Sequence, residues 1–388
     1  MKDWKFSIND VLNATFCCLV VCHLCMLYGL STEQNNIISL CSMGIFGMGT
    51  LLFIGAIVYK VQFAIKEAVL FTLLIVIVLI VVGKDIRGDT LKLALGYVMM
   101  LTVWISAGNI TLSRFSRHFI TTMFILIGIF LISQSYSENA FVVRDKLDDT
   151  TEALALGFSN PNQTAIIIYS TVSILIIQFD RIGKNYLKYL IFAEIVWLFY
   201  LLVQTDARTS ILACVFVVLL KLANNFKLTE LRLNRVNNGM ILFICILPVL
   251  FYWLYTYLYE NRILAGVQFL GKDLFSGRNE VYNHSIEMWD NKLFGNMERF
   301  SFENAHNASL TIMLNTGVIG YLLYLIYTYM ELLSLNKNGR LNFLPMVVLL
   351  SFFVMGCSES AILVSGSIYY IMMLTVCILA NDIVDKSE

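Results

Sequence analysis

The sequence is short of charge. Only 14% of its 388 residues are Asp, Glu, Lys or Arg, and the 27 basic residues balance the 27 acidic ones. A soluble globular chain carries about 25% charged residues. So little charge cannot cover a soluble fold of this size, which excludes a soluble enzyme, and so apolar a chain is not intrinsically disordered. With a formal net charge of +0 there is no global basic surface, and no case for nucleic acid as a partner. Proline is scarce as well, with three residues. No Pro- or Gly-rich linker, internal repeat or low-complexity segment divides the chain, so residues 1–388 read as one domain. None of the nine cysteines lies in a long loop, so no disulfide framework is indicated. Cys17, Cys18, Cys22 and Cys25 surround His23 but lack a second ligand pair in a polar setting. They read as small helix-packing residues. A cleavable signal peptide is not expected either, because the first apolar stretch runs from Lys5 to Leu30.

What is abundant is apolar. Hydrophobic residues make up 58% of the chain and the mean hydropathy is +0.74. A bilayer core of about 30 Å takes about 20 apolar residues per helix. Apolar spans fall at 10–30, 37–59, 67–83, 91–109, 118–134, 163–179, 186–204, 209–224, 239–258, 307–333, 341–357 and 362–381. They are about twice as long as the strands of a membrane β-barrel. The expected fold is therefore all-α, a polytopic membrane protein of about 12 transmembrane helices. With the N-terminus inside, sixteen Lys and Arg fall in cytoplasmic segments, and only Lys84, Arg87, Lys92 and Arg208 fall in short outward ones. That bias supports the orientation. It leaves two long outward loops, 135–162 and 259–306, where any chemistry is expected.

Several polar residues stand out against this background. Arg208 sits between two apolar spans with almost no loop. An arginine at membrane depth costs several kcal/mol unless it is paired or faces a wet cavity. It reads either as a functional group or as a snorkelling side chain paired with Asp206. In the large loop the segment from Arg278 to Trp289 has helical spacing, with Ser276 as N-cap. Arg278, Tyr282, Ser285 and Trp289 share a face. That face suits an anionic, sugar-bearing ligand, or equally an amphipathic helix resting on the membrane. His306 and Asn307 follow where the chain re-enters the membrane, and His306 can take a proton near neutral pH or simply mark the helix entry. Asn315, Gly317 and Gly320 allow close helix packing. Glu359 lies between the last two spans, either solvated or turned into the same cavity.

Taken in order, these pieces resemble the bacterial O-antigen ligase and polymerase superfamily. The order is Gly157-Phe158-Ser159-Asn160-Pro161-Asn162, Ala207-Arg208-Thr209-Ser210, Gly277-Arg278 then Trp289, Phe294-Gly295, His306-Asn307-x-x-Leu310, and Asn315-x-Gly317-x-x-Gly320. The resemblance covers roughly residues 155–325. Two departures stand out: Asp206-Ala207-Arg208-Thr209 replaces the serine-arginine-glycine form common in the ligases, and no proline follows Trp289.

The resemblance implies a glycosyltransferase of the C type, a multi-span enzyme in the bacterial cytoplasmic (inner) membrane with its active site facing outward. It implies a polyprenyl-diphosphate-linked oligosaccharide as donor, a second lipid-linked repeat unit as acceptor, and no metal or cofactor. Arg208 and Arg278 match the arginines expected to hold the diphosphate, and His306 the histidine expected to activate the acceptor. Tyr282, Trp289, Asn307 and Glu359 complete the expected substrate-binding set. Two guanidiniums can clamp a diphosphate bidentately and stay charged at any working pH. Fixed positive charge also stabilises the negative charge that develops as the glycosidic bond breaks. A polymerase of O-antigen, capsule or exopolysaccharide, working beside a flippase and a chain-length regulator, is the preferred reading. An O-antigen ligase acting on a lipid A core, and a membrane transporter or flippase, are the alternatives.

Overall fold

The computed structural model describes residues 7–60, 65–82, 88–146, 149–183, 185–226, 235–263, 266–269, 272–273, 278–296, 305–336, 340–359 and 367–382. The chain is a helical bundle. Its helices are α1 (Ile8–Ser31), α2 (Asn35–Lys60), α3 (Ile65–Val82), α4 (Gly88–Gly108), α5 (Arg114–Gln134), α6 (Pro161–Phe179), α7 (Asn185–Gln204), α8 (Arg208–Phe226), α9 (Asn238–Glu260), α10 (Arg278–Glu287), α11 (Ala308–Leu335), α12 (Arg340–Met355) and α13 (Ser367–Asn381). Among the described residues, eight helices are long and apolar enough to cross a membrane: α1, α2, α3, α5, α6, α7, α9 and α11. The four other apolar segments read from the sequence also form helices, α4, α8, α12 and α13.

Burial sorts these helices into a centre and a rim. Nearly all of α6 is buried, and α5, α7, α8, α12 and α13 pack around it. By contrast α7 turns Tyr189, Phe192, Val196, Trp197 and Tyr200 outward, and α3 turns out Ile75, Val78, Leu79 and Val82. Helices apolar on both their packed and open faces belong in a lipid solvent. This is a multi-pass membrane protein.

The two ends of the bundle differ. At one end the buried Asp382 carboxylate takes ion pairs from Arg117 (3.1 Å) and Arg181 (2.9 Å), which ties α13 to α5 and the end of α6. Lys66 reaches Glu331 at the same end, 3.1 Å away, and Lys221 pairs with Asp180. The opposite end carries two hairpins and α10. Strands β1 (Phe141–Lys146) and β2 (Asp149–Leu154) pair antiparallel, and so do the short β3 (Gln268–Phe269) and β4 (Lys272–Asp273). The fold is all-α, as expected from the sequence; the expectation of a partly helical outer loop did not include these hairpins, by which both long segments fold partly as strands. Ser276, expected as the cap of α10, lies outside the described residues.

A correction concerns α11. Gly317, expected to let helices pack closely, instead breaks the helix with φ 69° and ψ −179°. Ser309 and Tyr321 would be about 18 Å apart along a straight helix. Their hydroxyls are 3.1 Å apart, so the helix turns a sharp corner. Residues 291–296 fill the corner and take over the broken bonds. Val318 N donates to Lys292 O (3.0 Å), and Asn296 N donates to Leu314 O (2.8 Å). Gly295 faces Gly317 across this junction, and a Cβ on either would run into the other segment's backbone. Thus the Phe294-Gly295 and Asn315-x-Gly317 motifs are two halves of one contact.

Candidate active site

The turn Gly356–Glu359, just beyond α12, is where the motifs meet. Each approaching helix presents its first residues. Asn160 caps α6 and Pro161 occupies its first turn, which satisfies the start of a helix that has free N–H groups. One residue on, Asn162 Nδ2 donates to Glu359 Oε1 at 2.9 Å. Upstream, Gly157 (φ 78°) comes so close to the Ser31 carbonyl that a side chain would not fit. The whole Gly157–Asn162 motif is thereby accounted for.

Next to it α8 begins with Arg208. Asp206, in the tight turn before it, adopts a left-handed backbone at φ 57°. Aspartate tolerates that region better than most residues. Thr209 and Ser358 hydroxyls lie 2.7 Å apart, which fixes the start of α8 against the turn.

The third approach is that of α11. Ala308 N donates to Gly356 O at 2.8 Å. Asn307 caps the helix by accepting from Leu310 N (2.9 Å), and its amide group donates to Pro248 O (2.7 Å) and Cys357 O (3.3 Å). Pro248 lies mid-way along α9, and the twelve residues beyond it rise about 18 Å further. So α11 starts level with the middle of α9, with the second half of α9 standing beyond it as a wall.

Loop helix α10 leans on that wall. Tyr282 is fully buried, its ring 5.4 Å from those of both Tyr252 and Tyr255. Its hydroxyl points to His306 O at 3.5 Å. Tyr282 therefore anchors α10 by its ring, and only its hydroxyl faces the site. Burial and the Tyr255 ring neighbour push its phenol above the usual range. Trp289 falls just past the end of α10 and is half-buried against the same cluster, with Nε1 donating to Asn291 O at 3.0 Å. Arg278 is the first residue of α10.

His306 stands between these parts. It has a left-handed backbone, φ 49°. Burial first, and then the Arg278 guanidinium, lower its pKa from 6.5 to about 4. The imidazole is thus neutral at physiological pH, as a proton acceptor must be. Glu359 is 7% exposed, so it is turned inward rather than solvated.

Six of the seven residues singled out from the sequence, Arg208, Arg278, Tyr282, His306, Asn307 and Glu359, lie around one junction, and Trp289 packs on the aromatic cluster that holds α10. Arg208, Arg278, His306 and Glu359 lie there with side chains that can act on a ligand. Tyr282 and Asn307 lie there as packed groups. Sequence reasoning missed Asn162, Thr209 and Ser358 as partners of the site, although the first two stand inside quoted motifs. Three helices begin around the turn, α6, α8 and α11, and Arg278 at the head of α10 lies near enough to His306 for its charge to act on the imidazole. Helix starts carry partial positive charge, which favours an anion, although the Asn160 and Asn307 caps already take N–H groups of α6 and α11. A cation at a helix start opposes the dipole. Two arginines hold that position here, at the heads of α8 and α10. The chain matches no family model, no curated protein and no solved structure.

Proposed function

We propose that the chain is a polysaccharide polymerase, a C-type glycosyltransferase with twelve spans, both termini in the cytoplasm and the α10 end facing outward. The observation that carries this reading is the meeting of three helix starts, one of them headed by Arg208, around the Gly356–Glu359 turn, with Arg278 at the head of α10 near His306 beside it. Such a site suits a doubly charged group such as a diphosphate. Its level, at the middle of α9, suits a substrate that is anchored in the membrane.

In this reading Arg208 and Arg278 hold the diphosphate of a polyprenyl-linked donor. A hydroxyl of a second lipid-linked repeat unit attacks the anomeric carbon from the side opposite the leaving group. The bond from that carbon to the phosphate oxygen breaks, and polyprenyl diphosphate leaves with the electron pair. The acceptor proton passes to the neutral His306 imidazole. Direct displacement inverts the anomeric centre. Glu359, oriented by Asn162, accepts hydrogen bonds from sugar hydroxyls. The corner in α11 is a feature that also suits a transporter, whose broken helices line a substrate path. Here a loop of the protein fills the break, which favours the enzyme.

The test is reconstitution in liposomes with a lipid-linked repeat unit and no ion gradient. A ladder of polymer supports the reading. Transfer only when a lipid A core is added makes the protein a ligase, and movement of the donor across the bilayer without transfer makes it a flippase.

A further inference from the structure

Asn307 has no donor left for a ligand. Its two amide hydrogens go to Pro248 O and Cys357 O, and its oxygen takes the Leu310 N–H. It is also 0% exposed, so a sugar cannot reach it. An asparagine offers two donors on one nitrogen. Here they join two backbones, the middle of α9 and the turn after α12. The residue before it, His306, has the left-handed backbone, a conformation that persists only where its surroundings hold it. From the other side, the Tyr282 hydroxyl meets the His306 carbonyl.

We infer that Asn307 is a positioning residue, whose bridge from Pro248 to Cys357 fixes the His306 backbone and so aims the imidazole between Arg278 and the turn that holds Glu359. This rests on the reading of His306 as the proton acceptor, and it replaces a direct role of Asn307 in binding sugar. The cap of α11 alone does not demand asparagine, because serine caps a helix about as well. The bridge does, because serine has one donor and a shorter reach.

The experiment compares wild type with Asn307→Ser, which keeps the cap and removes the bridge. The chain has only four histidines, so isotope-labelled histidine resolves His306 by NMR in detergent. In the wild type His306 is expected to titrate at about 4. In the serine variant its titration is expected to move up towards 6.5, the value of an unburied imidazole. Turnover is expected to fall on the order of 10²-fold, as for a reacting group displaced by about 1 Å, with donor affinity unchanged. Should the serine variant fail to insert, Asn307→Asp keeps the size and the cap but cannot donate to either carbonyl, and the same shift is expected. An unmoved His306 titration with wild-type turnover overturns the inference. If His306 moves as expected while the wild-type protein transfers no glycan, the polymerase reading fails and the positioning role stands.

Discussion

Thr209 and Ser358 share a hydroxyl–hydroxyl hydrogen bond of 2.7 Å, across 149 residues of sequence. This bond fixes the head of α8, and with it the base of Arg208, against the turn that also receives α6 and α11. Removing a hydrogen bond of this kind costs about 1 kcal/mol. Thr209→Val should therefore weaken donor binding by about fivefold. Thr209→Ser keeps the hydroxyl and should bind normally. Titrating each variant with the lipid-linked donor checks this, and equal affinity of the valine and serine variants would separate Arg208 from the turn.

The acid side of the pH profile follows from His306. In the proposed mechanism the neutral imidazole is the active form, and its pKa is lowered to about 4. Activity should hold as the pH drops through 6.5 and fall only as it approaches 4. Stability follows a different window. Between 6.5 and 4 the unfolded chain binds a proton that the folded chain does not, so stability falls with pH across that range. His306→Asn is the informative variant, because asparagine also accepts the left-handed backbone. It should lower turnover by about 10²–10⁴-fold and flatten the stability loss between these pH values. An acid limb centred near 6.5 in the wild type would contradict the burial of His306.

Gly317 and Gly295 predict a stability defect rather than a catalytic one. Alanine at Gly317 must adopt φ 69° and place a Cβ against the Leu293 carbonyl. The cost should exceed about 2 kcal/mol. Thermal unfolding in detergent is the check. An unchanged melting temperature for Gly317→Ala would mean that the corner in α11 is not closed by residues 291–296.

Orientation can be read by cysteine labelling in a variant stripped of accessible native thiols. Asn283→Cys on exposed α10 should react in intact cells, while Arg235→Cys, exposed before α9, should stay protected. The opposite pattern would turn the site to the cytoplasm.

The sequence marked the helices well because lipid demands long apolar runs. Each of the twelve expected spans overlaps a helix in the described structure. It marked the site because polar residues in such a chain are rare, and Arg208, Arg278, His306 and Glu359 all lie around one junction. Depth was not legible. Nothing in the run from His306 onward says that α11 starts level with Pro248, since that depends on a bond between residues 59 apart. Nor does Gly317 announce its role. A glycine in an apolar helix fits close packing as well as a corner, and only Gly295, outside the span, decides between them. The β1–β2 hairpin was hidden by the charged residues Arg144, Asp145, Lys146 and Asp149 of its strands, which read as an ordinary solvated loop.

The most direct measurement is the release of polyprenyl diphosphate per glycosidic bond formed. It uses purified protein and a lipid-linked repeat unit, with EDTA present. One polyprenyl diphosphate should appear for each new linkage, and the new linkage should have inverted stereochemistry. Arg208→Ala and Arg278→Ala should reach the membrane in normal amount and release none above background. Arg→Lys at either position should release little, because a point charge does not reproduce the guanidinium fork. Polymer formed at near-normal rate by either alanine variant, or linkages formed without released polyprenyl diphosphate, would contradict an arginine-held diphosphate at the head of α8 and α10.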